Sequence, residues 1–123
     1  MSNLALTSPQ SDVDVAPLLL PATVLRNDAQ ALSAAHELAQ AARAQAAQRD
    51  QQRKLPWSLI EQFTQSGLGS ISIAREFGGP QVSFVTLAEV FAIISAADPA
   101  LGQIPQNQVG ILNLISSTAT HAQ

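Results

Sequence analysis

The chain has 123 residues, enough for one small domain built on one core. Apolar residues make up 46% and charged residues 12%; a net charge of −3, with scattered basic residues, argues against a nucleic-acid footprint. The lack of cysteine excludes a disulfide framework, a thiolate nucleophile and a cysteine metal site, and no apolar run approaches the roughly 20 residues a spanning helix needs, so a cytoplasmic protein with no membrane partner is the expectation.

Much of the apolar share is alanine, and aromatic residues are only 4%, so any core is assembled from small side chains that each bury little area. Composition leaves two readings open: a piece that other polypeptide covers, or an ordinary small alanine-rich helical domain. Residues 1–26 mix Ser, Pro, Asp and Gln with short apolar patches, punctuated by Pro9, Pro17 and Pro21. They read as a flexible N-terminal arm, with Leu18 to Leu20 available to dock on a neighbour.

The domain proper is expected over residues 27–123. Asp28 is placed as the N-cap of a helix running to about Arg53, a stretch dominated by alanine and glutamine with no Gly or Pro. Its thin apolar face comprises Leu32, Ala35, Leu38, Ala39, Ala42 and Ala46, and Arg49, Arg53 and Lys54 suit the negative end of its dipole. Leu55-Pro56 then opens a short amphipathic helix over 56–66, with Trp57, Ile60 and Phe63 as core anchors and Gly67 at its C-terminal boundary.

Leu68 to Ile73 alternates apolar and small residues and predicts an extended segment. The turn Ala74-Arg75-Glu76-Phe77-Gly78-Gly79-Pro80 follows, its glycines allowing backbone angles that other residues avoid. Ser83 caps a helix to about Ala97 that is apolar almost all round, hence expected to be buried on all sides, with Glu89 pairing Arg75. Asp98-Pro99 starts a last helical run to about Ser116, irregular near Gly102 to Ile104 because of Pro105. In that run Leu101, Ile104, Val109, Leu112 and Ile115 read as core, while Gln103, Gln106, Asn107, Gln108, Gly110 and Asn113 form an uncharged polar patch suited to a planar ligand or a partner backbone. The fold class is all-α: about four helices with an extended Gly-rich loop.

No chemistry-bearing motif is present. There is no GxGxxG, P-loop or GxSxG; His36 and His121 are isolated, so no metal site is expected; and Glu76, Glu89 and Asp98 are too dispersed for paired acid–base work. No catalytic residue is assigned.

The order of signals is nevertheless specific. Leu55-Pro56-Trp57, Gly67-Leu68, the run Ile73 to Gly79 and a helix ending Ala97-Asp98-Pro99 together resemble the N-terminal helical domain of the acyl-CoA dehydrogenase superfamily. Ala74 to Gly79 stands where that family typically reads Pro-Glu-Glu-Tyr-Gly-Gly, with the first two positions substituted. Thr86 to Val90 and Gln103 to Asn107 look closer to the flavin-dependent sulfur-acquisition and desulfurisation branch, similar to dibenzothiophene monooxygenase.

The resemblance implies a flavin, FAD or FMN, held largely by a middle β-domain and a C-terminal bundle. It also implies homo-oligomeric assembly and a small-molecule substrate in a cleft that the N-terminal domain helps to wall. Within that frame Gln103, Asn107 and Gln108 are the substrate-cleft candidates, and Arg75, Glu76, Gly78 and Gly79 form the structural loop. The branch often places a histidine after the Gln-Asn pair; here that position is Gln108, an amide that cannot shuttle a proton as imidazole does. The expectation is an N-terminal portion, without the β-domain and bundle, that is not catalytic alone; the alternative is a stand-alone helical interaction module.

Overall fold

The computed structural model describes residues 22–120. Most of the expected arm, together with Leu18 to Leu20 and His121, lies outside the described residues. Its last residues do not hang free: Thr23 N–H donates to the Gln65 carbonyl at 2.8 Å and Leu25 is buried.

Helix α1 spans Asp28–Gln52, α2 Trp57–Ser66, α3 Phe84–Ala97, α4 Pro99–Gln103 and α5 Gln106–Thr118, with short 3-10 turns at Leu68–Ser70 and Arg75–Phe77. Among the described residues there is no strand, so the all-α expectation is met. The long helix starts one residue earlier than expected. Asn27, not Asp28, is its N-cap: Asn27 Oδ1 accepts from Gln30 N–H at 2.8 Å, while Gln30 Oε1 accepts from Arg26 N–H at 2.8 Å. The Asn27 side chain caps α1, and the Gln30 side chain reaches back one residue beyond the cap to Arg26 N–H, a variant of the capping box.

That shift frees Asp28 for a different task. From the first turn of α1 its Oδ2 accepts from Thr86 Oγ1 at 2.7 Å, Ser83 Oγ at 3.1 Å and Ser83 N–H at 3.2 Å. One carboxylate thus sits at two helix N-termini, where the aligned peptide dipoles favour negative charge. The Thr86 hydroxyl, followed by the Ser83 backbone N–H, holds the Asp28 carboxyl below its ordinary value despite some desolvation. Because folding depresses this pKa, the stabilisation is complete above the unfolded value near 3.9 and is lost as pH falls through the lower folded value. Acid titration of the wild-type chain, compared with Asp28→Asn, should show the variant less stable at neutral pH and the gap closing below about pH 4. A gap that persists unchanged in acid would contradict the assignment.

The core is the α1–α3 pairing. Ala31, Ala35, Leu38, Ala39 and Ala42 of α1 and Leu87, Val90, Ile94 and Ala97 of α3 are all buried. Alanine lets the helix axes approach, so the larger side chains of α3 fill what α1 leaves. Helix α3 is nonetheless not buried on all sides: Phe84 is 79% and Val85 77% exposed, and Ala88, Glu89 and Ala92 also face outward. No pair joins Glu89 to Arg75; Arg75 instead donates from Nε to the Pro80 carbonyl at 3.4 Å. Arg49, expected to serve the helix dipole, reaches across to the Asp98 carboxylate, and Asp98 Oδ1 also caps α4 by accepting from Ala100 and Leu101 N–H.

Helix α2 ends at Gly67 as expected, but its anchors differ. Leu59 and Phe63 are buried, whereas Trp57 is 68% exposed and is not a core residue. Trp57 lies two residues, about 200°, before the buried Leu59 and so points to the opposite face of the helix. After Gly67 the chain does not extend. Ser70 Oγ donates to the Gly67 carbonyl and Ser66 Oγ accepts from Leu68 N–H, local bonds that curl the segment into a 3-10 turn. Leu68 and Ile71 are both buried, three residues apart, which is the period of that turn and not of a strand.

Candidate functional site

The Gly-rich loop is a closed excursion. Gln81 N–H donates to the Ile73 carbonyl and Val82 N–H to the Ile71 carbonyl, each at 3.0 Å, so the chain leaves and re-enters at adjacent points. Between them Gly79 N–H donates to Ala74 O at 3.2 Å, Gly78 N–H to Arg75 O at 3.0 Å, and Arg75 N–H to Gln81 Oε1 at 3.1 Å. Arg75, Glu76 and Phe77 ride on the outside, with Phe77 66% exposed. These backbone bonds tie the loop to itself, and Arg75 and Glu76 are exposed.

The uncharged polar patch is divided by the Pro105 break. Gln103 and Gln106 border a groove of about 460 Å³ shared with Phe91, Ser95, Pro99 and Gly102. Gln108 instead faces a second groove of about 360 Å³ formed with Phe63, Ile73, Ile104, Pro105 and Leu112. There its Nε2 donates to the Gly69 carbonyl at 3.1 Å. Asn107 is exposed and borders neither groove. Successive helical residues turn by about 100°, so Asn107 and Gln108 point apart and the three expected cleft residues do not converge.

A third, larger groove of about 550 Å³ lies between residues 23–25, α1 and α2, lined by Glu37 and several glutamines and serines. None of the expected cleft or loop residues lines it. The contribution of Phe91, Ser95, Phe63 and Ile73 to the other two grooves was invisible to pattern reading. So was the Gln108–Gly69 bond, since nothing in the sequence pairs residues 39 positions apart.

Helix α5 is the least covered element. Val109 is its buried residue and Leu112 is half-buried, but Ile111 is 56%, Leu114 61% and Ile115 48% exposed. Ile104 and Ile115, expected in the core, are therefore surface residues. From Gln106 to Thr120 the chain carries no charge at all. Ile111, Leu114 and Ile115 therefore form one exposed apolar stripe on a helix whose other exposed side chains are uncharged amides and hydroxyls.

Residues 27–123 match the family model described as acyl-CoA dehydrogenase, N-terminal domain. The chain belongs to this family. No curated protein matches it, and no solved structure does. For an acyl-CoA dehydrogenase N-terminal domain, the two grooves beside Pro105 offer walls more than reagents. Neither lining carries an ionisable side chain, and among the described residues no three His, Cys, Asp or Glu gather as metal ligands. The linings also lack a cation to meet the phosphate that both flavin cofactors carry, so these residues do not by themselves fit a flavin. Among the described residues no helix is long and apolar enough to cross a membrane.

Proposed function

We propose that this domain is the N-terminal helical wall of the substrate cleft in a cytoplasmic, flavin-dependent oxidoreductase, and that residues 27–123 are not catalytic alone. The family is one of multidomain, often oligomeric flavoenzymes acting on small molecules. The observation that carries the reading is the uncharged apolar face of α5, with Ile111, Leu114 and Ile115 open beside the two grooves. In this reading the remaining domains, or a second protomer, cover α5 and the exposed end of α3, and they hold the FAD or FMN. Gln103 then faces the cleft as a neutral hydrogen-bonding group, whereas Asn107 borders neither groove and Gln108 is already engaged with Gly69.

The substrate class we infer is a small, uncharged organic molecule, as suits groove walls without ionisable groups. The resemblance of Thr86 to Val90 and Gln103 to Asn107 to the desulfurisation branch favours an organosulfur compound and a monooxygenase reaction. Native protein containing this domain is expected to co-purify with flavin. A flavin-free, monodisperse protein would instead favour a stand-alone helical interaction module, which the same uncovered faces would serve.

A further inference from the structure

Helix α5 is joined to the body by a two-residue connection, Ile104-Pro105. Ile104 N–H donates to Ala100 O and closes α4, and Val109 N–H donates to Pro105 O and opens α5. Pro105 has no N–H to carry the ladder across, so the two helices are mechanically separate there. A residue that precedes proline readily populates extended backbone angles, and such a change at Ile104 would swing α5 outward as a rod.

Little apolar burial opposes that swing, since Val109 is the buried residue of the helix. What does oppose it is polar and directional. Gln108 Nε2 donates to the Gly69 carbonyl at 3.1 Å, across the groove formed with Phe63, Ile73, Ile104 and Leu112. Gly69 makes room for this contact: a Cβ there would lie 3.3 Å from Gln108 Nε2 and 3.6 Å from Phe63 Cε1.

We propose that α5 is a hinged flap over this groove, pivoting at Ile104-Pro105 and held shut by the Gln108–Gly69 hydrogen bond. Gln108 is thus a positioning residue, and the groove opens when its amide lets go. The device is a property of this chain with α5 uncovered, and in the proposed assembly the covering surface would hold it shut, so its test on this chain and the test of the proposed function are separate.

Once swung out, a 13-residue helix has no packing to support it and frays in water, so amide hydrogen exchange on the full 123-residue chain reads the open state. In Gln108→Ala, amides of residues 109–118 should exchange about five-fold faster, the equivalent of about 1 kcal/mol for one hydrogen bond, while amides of α1 and α3 keep wild-type rates. Alanine is the better helix former, so intrinsic propensity acts against this acceleration and cannot produce it. Gly69→Ala, which crowds the Gln108 amide without changing the sequence of α5, should reproduce the α5-confined effect, and Gln106→Ala should leave α5 unchanged. Unaltered α5 rates in Gln108→Ala would overturn the proposal. Acceleration spread evenly over α1, α3 and α5, or α5 amides already unprotected in the wild type, would do the same.

Discussion

Replacing Asp98 with alanine is expected to lower the unfolding free energy by about 3 kcal/mol or more, among the largest effects of any single substitution in this domain. Two losses coincide. Both side chains of the Arg49–Asp98 pair are only 11% exposed, so the variant leaves a guanidinium nearly out of water without its counter-ion. The same substitution removes the acceptor for Ala100 and Leu101 N–H and uncaps α4, worth about 1 kcal/mol. Asp98→Asn separates the two, because an amide oxygen still caps while the charge is gone; it should fall between wild type and alanine. Combining Asp98→Asn with Arg49→Met, which removes the stranded charge, should recover much of the loss. Urea unfolding of the four proteins provides the measurement, and an Asp98→Ala loss below about 1 kcal/mol would rule out the double role.

The second large effect is expected at the Gly-rich loop, where adjacent glycines are needed for different reasons. Gly78 has φ 88°, a left-handed conformation, but nothing lies within 4 Å of where its Cβ would be. Gly78→Ala should therefore cost about 1–2 kcal/mol, the left-handed penalty alone, and Gly78→Asn less. Gly79 is limited by space. A Cβ there would sit 2.6 Å from the Ile73 carbonyl carbon and closer still to its oxygen, the atom that accepts from Gln81 N–H. The obstacle is backbone and cannot rotate aside, so Gly79→Ala should cost about 3 kcal/mol, the upper part of the overpacking range, and open the neck of the loop. The order Gly79→Ala, Gly78→Ala, Gly78→Asn in falling destabilisation is the expected result of urea unfolding; a larger effect at Gly78 than at Gly79 would contradict the steric account.

What could be read from residues alone follows how local the determining physics is. The Ser83 and Asp98 caps, the Gly67 boundary and the break at Pro105 were all legible, because each depends on a few neighbouring residues. The loop and the helix order also sufficed to point to the family that residues 27–123 match. Features set by partners distant in sequence were not legible. Asp28 reads as a cap by its neighbours, yet it is taken up by Ser83 and Thr86, while Asn27 does the capping. Trp57, Ile60 and Phe63 recur every third residue, but Trp57 lies about 200° around α2 from the buried Leu59 and faces out. Alternation over Leu68 to Ile73 suggested extension because serine hydroxyls that bond their own backbone look like ordinary outward polar residues. The candidate cleft residues followed the same rule. Gln103, Asn107 and Gln108 formed one patch on paper and three surroundings in space, since a proline break and a 100° step per residue intervene.

The proposed function requires that α5 and the outer end of α3 be surfaces that the rest of a flavoenzyme covers. The most direct test is to purify the native polypeptide that carries this domain, without denaturation, and record its visible absorption. The predicted result is the absorption of a stoichiometric bound flavin. A colourless, folded and monodisperse native protein would contradict it.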